Sequence, residues 1–489
     1  MNTLEQLNFD NTFARLPAPF HSRLKPTPLA KPYLVSFNAN AARLIDLASD
    51  ESSRQDFAEC FAGNRLLQGS EPLSMLYAGH QFGHYVQQLG DGRAMLLGEI
   101  RNSVGEYWDL QLKGAGPTPY SRSGDGRAVL RSSIREYLCS EAMHGLGIPT
   151  TRALCIVGSD DEVYRESIET AAVVTRMAQS HVRFGSFEVF YHRGQKEHLA
   201  TLADYVIARN FPHLVDVQEK YAEFLREVLV RTAQLMAKWQ AVGFSHGVMN
   251  TDNMSILGLT FDYGPFGFME AFDPGYICNH SDHGGRYAYD QQPQIGLWNL
   301  TALAQALTPL LPVAEAEKIL DEYGDIYSEH YVELMSGKLG LTYAGLEDFA
   351  LVEPLLEMMR VSELDYTNTF RKLAGFKSAP GELNSALRDQ FINRAAFDEW
   401  AAAYRARLQA ETVTDAERKA RMDRVNPKYI LRNYLAQTAI SKAEKERDFS
   451  EVDRLLQLLG RPYDEQPEME SYAAPAPDWA RSIEVSCSS

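Results

Sequence analysis

Short apolar runs and alternating segments predict β-strands between residues 94 and 177. Residues 94–100 form a nearly continuous apolar run, which is typical of a buried strand. Residues 106–113 alternate, so that Trp108, Leu110 and Leu112 share one face and Lys113 falls on the other. Lys113 is therefore expected to point away from the packed face, toward a cleft. Two further strands are predicted at 155–157 and 171–177.

Apolar residues spaced by three and four predict helices between and after these strands. One helix is expected over residues 128–143, ended by Gly145, and another over 219–241, ended by Gly243. Nearly all of residues 295–460 reads as helical.

This order of elements predicts an α+β fold with a strand-rich N-lobe, a helical C-lobe and a cleft between them, where ligand sites are common. The predicted limits are an N-terminal extension over 1–75, the N-lobe over 76–180 and the C-lobe over 181–380. A C-terminal helical region follows over 381–465, and a flexible tail over 466–489.

The net charge of the chain disfavours some classes of binding partner. Among 489 residues, 48 are Lys or Arg and 65 are Asp or Glu, which gives a net charge of −17. That balance repels nucleic acid and anionic membrane surfaces, so neither is expected as a partner. Residues 1–17 have no apolar core typical of a signal peptide, and no apolar run could span a bilayer. Five cysteines form neither a disulfide framework nor a zinc pattern, and a cytoplasmic protein is predicted.

Three Gly-x-Gly steps occur in the strand-rich half. They begin at Gly90, Gly114 and Gly124, and none completes a dinucleotide-binding or Walker A motif. Each is either a tight turn or a place where backbone N–H groups approach phosphate oxygens.

Lys113 and Glu136 form a candidate pair. A lysine on an extended strand, held by a glutamate on the following helix, is how kinases direct a positive charge at phosphates. The alternative is an ordinary surface lysine. Arg176 and Arg183, near the junction of the halves, suit a polyphosphate because a guanidinium forms bidentate hydrogen bonds; singly, each could instead be a structural ion pair.

The strongest motif is residues 246–253 (HGVMNTDN), followed by Asp262 in a DYG run. Kinases place His-x-Asp-x-x-x-x-Asn and then Asp-x-Gly at such a position, but here Val248 replaces the usual base. Asp252, Asn253 and Asp262 offer oxygen ligands suited to Mg²⁺. The alternative is a solvated polar turn.

Several long runs resemble the selenoprotein O family, whose members are kinase-like protein adenylyltransferases. The resemblance covers nearly the whole chain. It includes residues 78–85 (AGHQFGHY), 89–93 (LGDGR), 112–122 (LKGAGPTPYSR), 125–127 (DGR), 135–136 (RE) and 246–254 (HGVMNTDNM).

The resemblance implies a kinase-like two-lobed fold that binds ATP in reverse, with the α-phosphate at the attacking hydroxyl. Asp252 would be the proton acceptor, Asn253 and Asp262 would bind Mg²⁺ or Mn²⁺, and Glu136 would orient Lys113. The implied nucleotide-binding residues are Gly90, Gly92, Arg93, Lys113, Asp125, Gly126, Arg176, Arg183 and Asp262.

Cys487 occupies the near-terminal place where many eukaryotic relatives carry selenocysteine. A disulfide with Cys278 would make activity redox-dependent; the alternative is an inert thiol.

Three functions remain open. The leading one is transfer of AMP from ATP to Ser, Thr or Tyr hydroxyls of other proteins and of the chain itself, by an enzyme expected to be a monomer. The second is a phosphotransferase that uses Asp252 as a displaced base. The third is a nucleotide-binding scaffold without activity.

Overall fold

The computed structural model describes residues 1–342 and 345–485. The strands are β1 (His21–Arg23), β2 (Tyr33–Phe37), β3 (Leu73–Met75), β4 (Gly79–Gln81), β5 (His84–Val86), β6 (Ala94–Arg101), β7 (Tyr107–Lys113), β8 (Ala128–Val129), β9 (Arg152–Tyr164), β10 (Ile168–Ala178), β11 (Phe244–Ser245) and β12 (Gly267–Phe268).

The α-helices are α1 (Ala39–Arg43), α2 (Phe57–Phe61), α3 (Leu130–Gly145), α4 (Phe184–His192), α5 (Lys196–Asn210), α6 (Lys220–Val242), α7 (Gln292–Leu307), α8 (Val313–Asp321), α9 (Tyr323–Lys338), α10 (Phe349–Val361), α11 (Tyr366–Leu373), α12 (Ser385–Arg388), α13 (Arg394–Gln409), α14 (Asp415–Met422), α15 (Asn433–Glu446) and α16 (Ser450–Leu459).

An eight-stranded sheet organises the first part of the chain. Its order is β1-β3-β6-β7-β10-β9-β2, with β8 paired to β10, and neighbouring strands are antiparallel. The mixed α+β class is therefore confirmed. Since β1, β2 and β3 come from residues 1–75, the predicted N-terminal extension shares the sheet of the predicted N-lobe. The kinase-like two-lobed arrangement and the domain limits stay predictions.

The four predicted strands and two predicted helices are present, and the periodicities located them well. The predicted strand at 155–157 is the middle of the much longer β9. Helix α6 ends at Gly243, which adopts φ 74° and ψ 31° as its C-cap. A left-handed residue at that position is easiest for glycine, and it closes the helix.

Lys113 lies on the face of β7 opposite Leu110 and Leu112, as predicted, but that face is also covered, because the sheet is packed on both sides. Leu110 and Leu112 lie in a core with Ile45 and Phe57, and helix α3 packs against the other side. Lys113 is only 5% exposed. Its charge is therefore held in a desolvated position that needs a counter-charge.

The segment after α16 contains two 3₁₀ turns, Pro467–Ala473 and Asp478–Ser482. Met469 and Tyr472 pack against the core around α15 and α16. Lys428 forms an ion pair with Glu470 at 2.5 Å. Part of the predicted flexible tail thus has defined contacts. Within the described ranges, none of the helices has both the length and the apolar character that a membrane span requires.

Candidate functional site

A cleft of about 580 Å³ opens beside the end of β7. All but one of the predicted site residues line it. The lining includes Gly90, Gly92, Arg93, Lys113, Asp125, Gly126, Arg176, Arg183, Asp252, Asn253 and Asp262. The exception is Glu136, which lies behind Lys113. Residues up to 172 positions apart in the chain, from Gly90 to Asp262, thus meet around one cavity.

Lys113 sits in a buried cluster of alternating charges. Its ammonium donates a hydrogen bond to Glu136 Oε2, and Arg176 Nε lies 3.2 Å from the other oxygen of Glu136. Lys113 and Arg176 share a face because Arg176 pairs with Gln111 across the sheet, two residues before Lys113. Burial lowers the pKa of Lys113 to about 8, although the charge of Glu136 opposes that shift. Glu136 therefore helps to keep the lysine charged.

Asp262 faces two arginines at the base of the cleft. Arg176 Nη1 donates to Oδ1 at 2.5 Å, and Arg183 Nη1 donates to Oδ2 at 2.6 Å. Burial favours the neutral acid, but the charges of Arg176, Arg183 and Lys113 outweigh it and hold the pKa of Asp262 well below its usual range. Its backbone has φ 59°, a strained value for a non-glycine residue. The carboxylate is thus held in its ionised form and fixed in place.

The Asp252 carboxylate has a different environment, although Arg183 Nη1 also donates to the backbone carbonyl oxygen of Asp252, at 2.6 Å. Asp252 is 7% exposed, Gln81 Nε2 donates to Oδ2 at 3.2 Å, and Oδ1 accepts no hydrogen bond from the described residues. Burial raises the pKa of Asp252 to about 7, with Arg183 opposing the rise. A carboxylate with a free oxygen and a pKa near neutrality is suited to accept a proton.

The loop that carries Asp252 and Asn253 is held from beneath by His246. The His246 ring stacks on Trp239 with centroids 5.3 Å apart, and its Nε2 lies 3.0 Å from the carbonyl oxygen of Phe261. Asn253 Nδ2 donates to the Val248 carbonyl at 2.9 Å. That bond occupies the amide nitrogen and leaves the amide oxygen available as a ligand.

Two glycine turns form the other wall. Gly90 has φ 84°, and Asp91 after it is buried and accepts the Met75 N–H at 3.0 Å. At Gly126 an added Cβ would lie 2.1 Å from the carbonyl oxygen of Gly116, so only glycine fits. Arg93 is exposed at the rim, and no ion pair holds its side chain within the described parts of the chain. These turns let the backbone approach a bound ligand closely.

The sequence reasoning missed several residues that shape the site. Arg165 forms a two-bond ion pair with Asp125, at 2.8 and 3.0 Å. Asn250 Oδ1 accepts the Tyr287 hydroxyl at 2.6 Å, and Gln81 reaches Asp252. Asn250 and Gln81 lie within the quoted motifs, which was the available signal. Arg165 and Tyr287 had none, since each meets its partner only through the fold.

The predicted disulfide between Cys278 and Cys487 involves a residue outside the described ranges. Cys278 itself is buried, and burial raises the pKa of its thiol to about 12. Val485, two residues before Cys487, accepts the His280 N–H at 3.0 Å through its carbonyl oxygen. The described chain therefore ends beside the segment that contains Cys278.

The arrangement suits an anionic polyphosphate. Three buried cations converge on one end of the cleft, and two carboxylates and an amide provide hard oxygen ligands. Each oxygen of Asp262 already accepts a hydrogen bond from one arginine. An ionised carboxylate has about four acceptor positions, so it can bind a metal cation and the arginines at the same time. The donor chemistry therefore fits Mg²⁺ better than a soft metal. These features are suited to a phosphate-bearing ligand together with a divalent cation.

Comparison with known proteins identifies the family of the chain. The family "Protein adenylyltransferase SelO" matches residues 3–460. Proteins named "Protein nucleotidyltransferase YdiU" from Thiobacillus denitrificans, Myxococcus xanthus and Pseudomonas fluorescens are 61%, 58% and 52% identical, each with full coverage of both chains. The chain belongs to the protein adenylyltransferase SelO family.

Proposed function

We propose that this chain transfers AMP from ATP to Ser, Thr or Tyr hydroxyls of proteins, itself included, with release of pyrophosphate. Family membership makes it a nucleotidyltransferase. The observation that carries the proposal is the pair of carboxylates in one cleft: Asp262 is held ionised among cations, while Asp252 has a free oxygen and a pKa raised to about 7. We further propose the kinase-like two-lobed fold and a cytoplasmic location.

The cationic end of the cleft would bind the phosphates. Lys113, Arg176 and Arg183 are buried, so their charges are weakly screened and act strongly on a polyphosphate. The turns at Gly90, Gly92 and Gly126, with Arg93 and Asp125, would surround the rest of the nucleotide. Glu136 touches Lys113 rather than the cleft, and it is a positioning residue.

Asn253 and Asp262 would hold Mg²⁺ or Mn²⁺. A bound divalent cation supplies neutralisation of the charge that develops on the departing pyrophosphate. The amide oxygen of Asn253 and the ionised carboxylate of Asp262 match its preference for hard oxygen ligands.

Asp252 would act as the base. The acceptor hydroxyl loses its proton to Oδ1 as its oxygen bonds to the α-phosphorus, and the bond from that phosphorus to the bridging oxygen of pyrophosphate breaks. Gln81 keeps Oδ2 oriented through its 3.2 Å hydrogen bond, so the oxygen without a partner is the one free to accept the proton. Reversed ATP binding would place the α-phosphorus at this carboxylate.

The test uses ATP labelled at either the α- or the γ-phosphorus, with Mg²⁺ and the purified chain. Label from the α-position alone should appear on protein, and Asp252→Ala should reduce that transfer by about 10²–10⁴-fold. Label from the γ-position would establish a phosphotransferase. No transfer to any protein from either position would leave a nucleotide-binding scaffold.

We also propose that Cys278 and Cys487 form a disulfide that regulates transfer. The position of Val485 beside His280 supports this pairing, because it brings the end of the described chain next to the segment that contains Cys278. Oxidised protein should change its transfer rate on reduction by a dithiol, and Cys487→Ser should remove that response. An identical response in Cys487→Ser would contradict the pairing.

A further inference from the structure

Three metal-ligating side chains converge outside the cleft. His80 lies on β4, while Glu188 and His192 lie four residues apart on one face of α4. The potential ligand atoms of all three lie within 4.8 Å of one another. His80 Nδ1 is 2.5 Å from Glu188 Oε2. None of the three lines the proposed nucleotide cleft.

Glu188 is the least explained member of this cluster. Its side chain is 1% exposed, and the nearest basic partner that the structure gives it is His80. Its second oxygen, Oε1, accepts no hydrogen bond from any residue within the described ranges. A buried carboxylate with an unsatisfied oxygen costs free energy unless a cation compensates it. Glu188 therefore points to a positively charged ligand.

We propose that His80, Glu188 and His192 bind a Zn²⁺ ion. Two imidazoles and one carboxylate form a set that zinc uses in proteins, whereas Mg²⁺ prefers oxygen ligands alone. Ligand distances of about 2.0–2.2 Å in a tetrahedron place ligand atoms about 3.3 Å apart. To reach that spacing, His80 Nδ1 and Glu188 Oε2, which lie 2.5 Å apart, must separate by about 0.8 Å, and the exposed His192 side chain must adjust toward them.

The surroundings support defined ring positions. The Tyr85 and His192 rings lie 3.8 Å apart, and Trp298 meets the His80 ring edge-on at 5.2 Å. Exposure of His192 gives the ion a path from solvent and leaves room for water as a fourth ligand.

The ion would fasten β4 to α4 next to the proposed base. The His80 N–H donates to Thr251 Oγ1 at 2.7 Å, and the adjacent Gln81 reaches Asp252. Zinc bound here would thus stabilise the hairpin that orients Asp252, without being the cation of the transfer reaction.

The test measures Zn²⁺ binding to the purified full chain in excess Mg²⁺. Equilibrium dialysis with metal analysis gives the stoichiometry and the affinity. Wild type should bind one equivalent. His192→Ala should weaken binding by about 100-fold or more, because losing even an outer-shell partner costs about 10–100-fold. The matched control is His213→Ala, an exposed histidine that pairs with Glu227 elsewhere on the surface, and it should bind as wild type does.

Asp262→Asn separates this site from the nucleotide site, and it should also retain the zinc. Thermal unfolding gives a second measurement, since a ligand that binds only the folded state raises Tm. Zinc should raise the Tm of wild type and of His213→Ala but not of His192→Ala. Unchanged zinc affinity in His192→Ala, or its loss in Asp262→Asn alone, would overturn the proposal.

Discussion

The two carboxylates of the cleft differ in nearly every respect except their residue type. The Asp262 carboxylate accepts hydrogen bonds from two arginines, and their charges hold its pKa well below the usual range. Asp252 has one amide neighbour and a free oxygen, and burial raises its pKa to about 7. Environment rather than residue type thus divides the work: one carboxylate is suited to hold charge and the other to accept a proton.

Asp252→Ala should have the largest effect. Loss of the base is expected to reduce AMP transfer by about 10²–10⁴-fold, while ATP affinity stays within a few-fold of wild type. Asp262→Ala should instead lose ATP binding in Mg²⁺ as well as transfer. Transfer assays and calorimetric ATP titrations of both variants measure the difference. Equal loss of ATP affinity in the two would remove the distinction.

Glu136→Gln should be next in size. Without Glu136 the buried Lys113, whose pKa burial already lowers to about 8, becomes neutral more readily. We expect kcat/KM for ATP to fall about 10–100-fold, together with a stability loss of about 3–5 kcal/mol from the broken buried pair.

The matched control for Glu136→Gln is Glu141→Gln on the same helix. Glu141 is also buried and holds Arg152 at 2.8 Å, away from the cleft. It should cost similar stability and leave the kinetics for ATP unchanged. Similar kinetic losses in both variants would mean that Glu136 acts through stability alone.

Stability of the ligand-free protein should depend on pH with opposite signs at the two carboxylates. The folded-state pKa of Asp252 is raised, so its contribution is fully present below about pH 4 and is lost as pH rises to about 7. In EDTA, Asp252→Asn should therefore gain stability over wild type between pH 5 and 8, by an amount that grows with pH to about 4 kcal/mol.

Asp262→Asn should lose stability relative to wild type over the same pH range. Folding lowers the pKa of Asp262, so its ionised carboxylate stabilises the folded state most at pH values above the pKa of aspartate in the unfolded chain. Urea unfolding at several pH values measures both trends. A stability difference that is independent of pH in Asp252→Asn would contradict the raised pKa.

Asp125→Asn should have the smallest effect. The Asp125 side chain is 43% exposed, and its pair with Arg165 lies at the rim. Exposed pairs contribute about 0.2–1 kcal/mol, so KM for ATP should rise by about fivefold or less. Steady-state kinetics at two salt concentrations measure it. A loss as large as that of Glu136→Gln would show that the rim pair contacts ATP more strongly than its exposure indicates.

The local pattern of apolar residues predicted the strands and helices well, but it did not predict what packs against them. Apolar spacing located α6 and its end at Gly243, and alternation located β7. It could not show that Lys113 is buried, because the helix that covers it packs there only through tertiary contacts.

In the candidate site, too, some residues could be predicted from the sequence and others only from the fold. Residue type and spacing indicated Asp252, Asn253 and Asp262, the Lys113–Glu136 pair, and Arg176 and Arg183. The resemblance supplied the role of Asp252 as base and the nucleotide-binding roles of the glycine turns. The contacts of Gln81 with Asp252 and of Arg165 with Asp125 join residues 171 and 40 positions apart. Such pairings depend on the fold, and so does the difference in pKa between the two carboxylates.

A crystal structure of the Asp252→Asn variant with Mg²⁺ and a non-hydrolysable ATP analogue tests the division of roles most directly. The account predicts the cation on Asn253 and Asp262, and the α-phosphorus nearest to residue 252. A γ-phosphorus beside residue 252, with the α-phosphate held at the far end of the cleft, would contradict it.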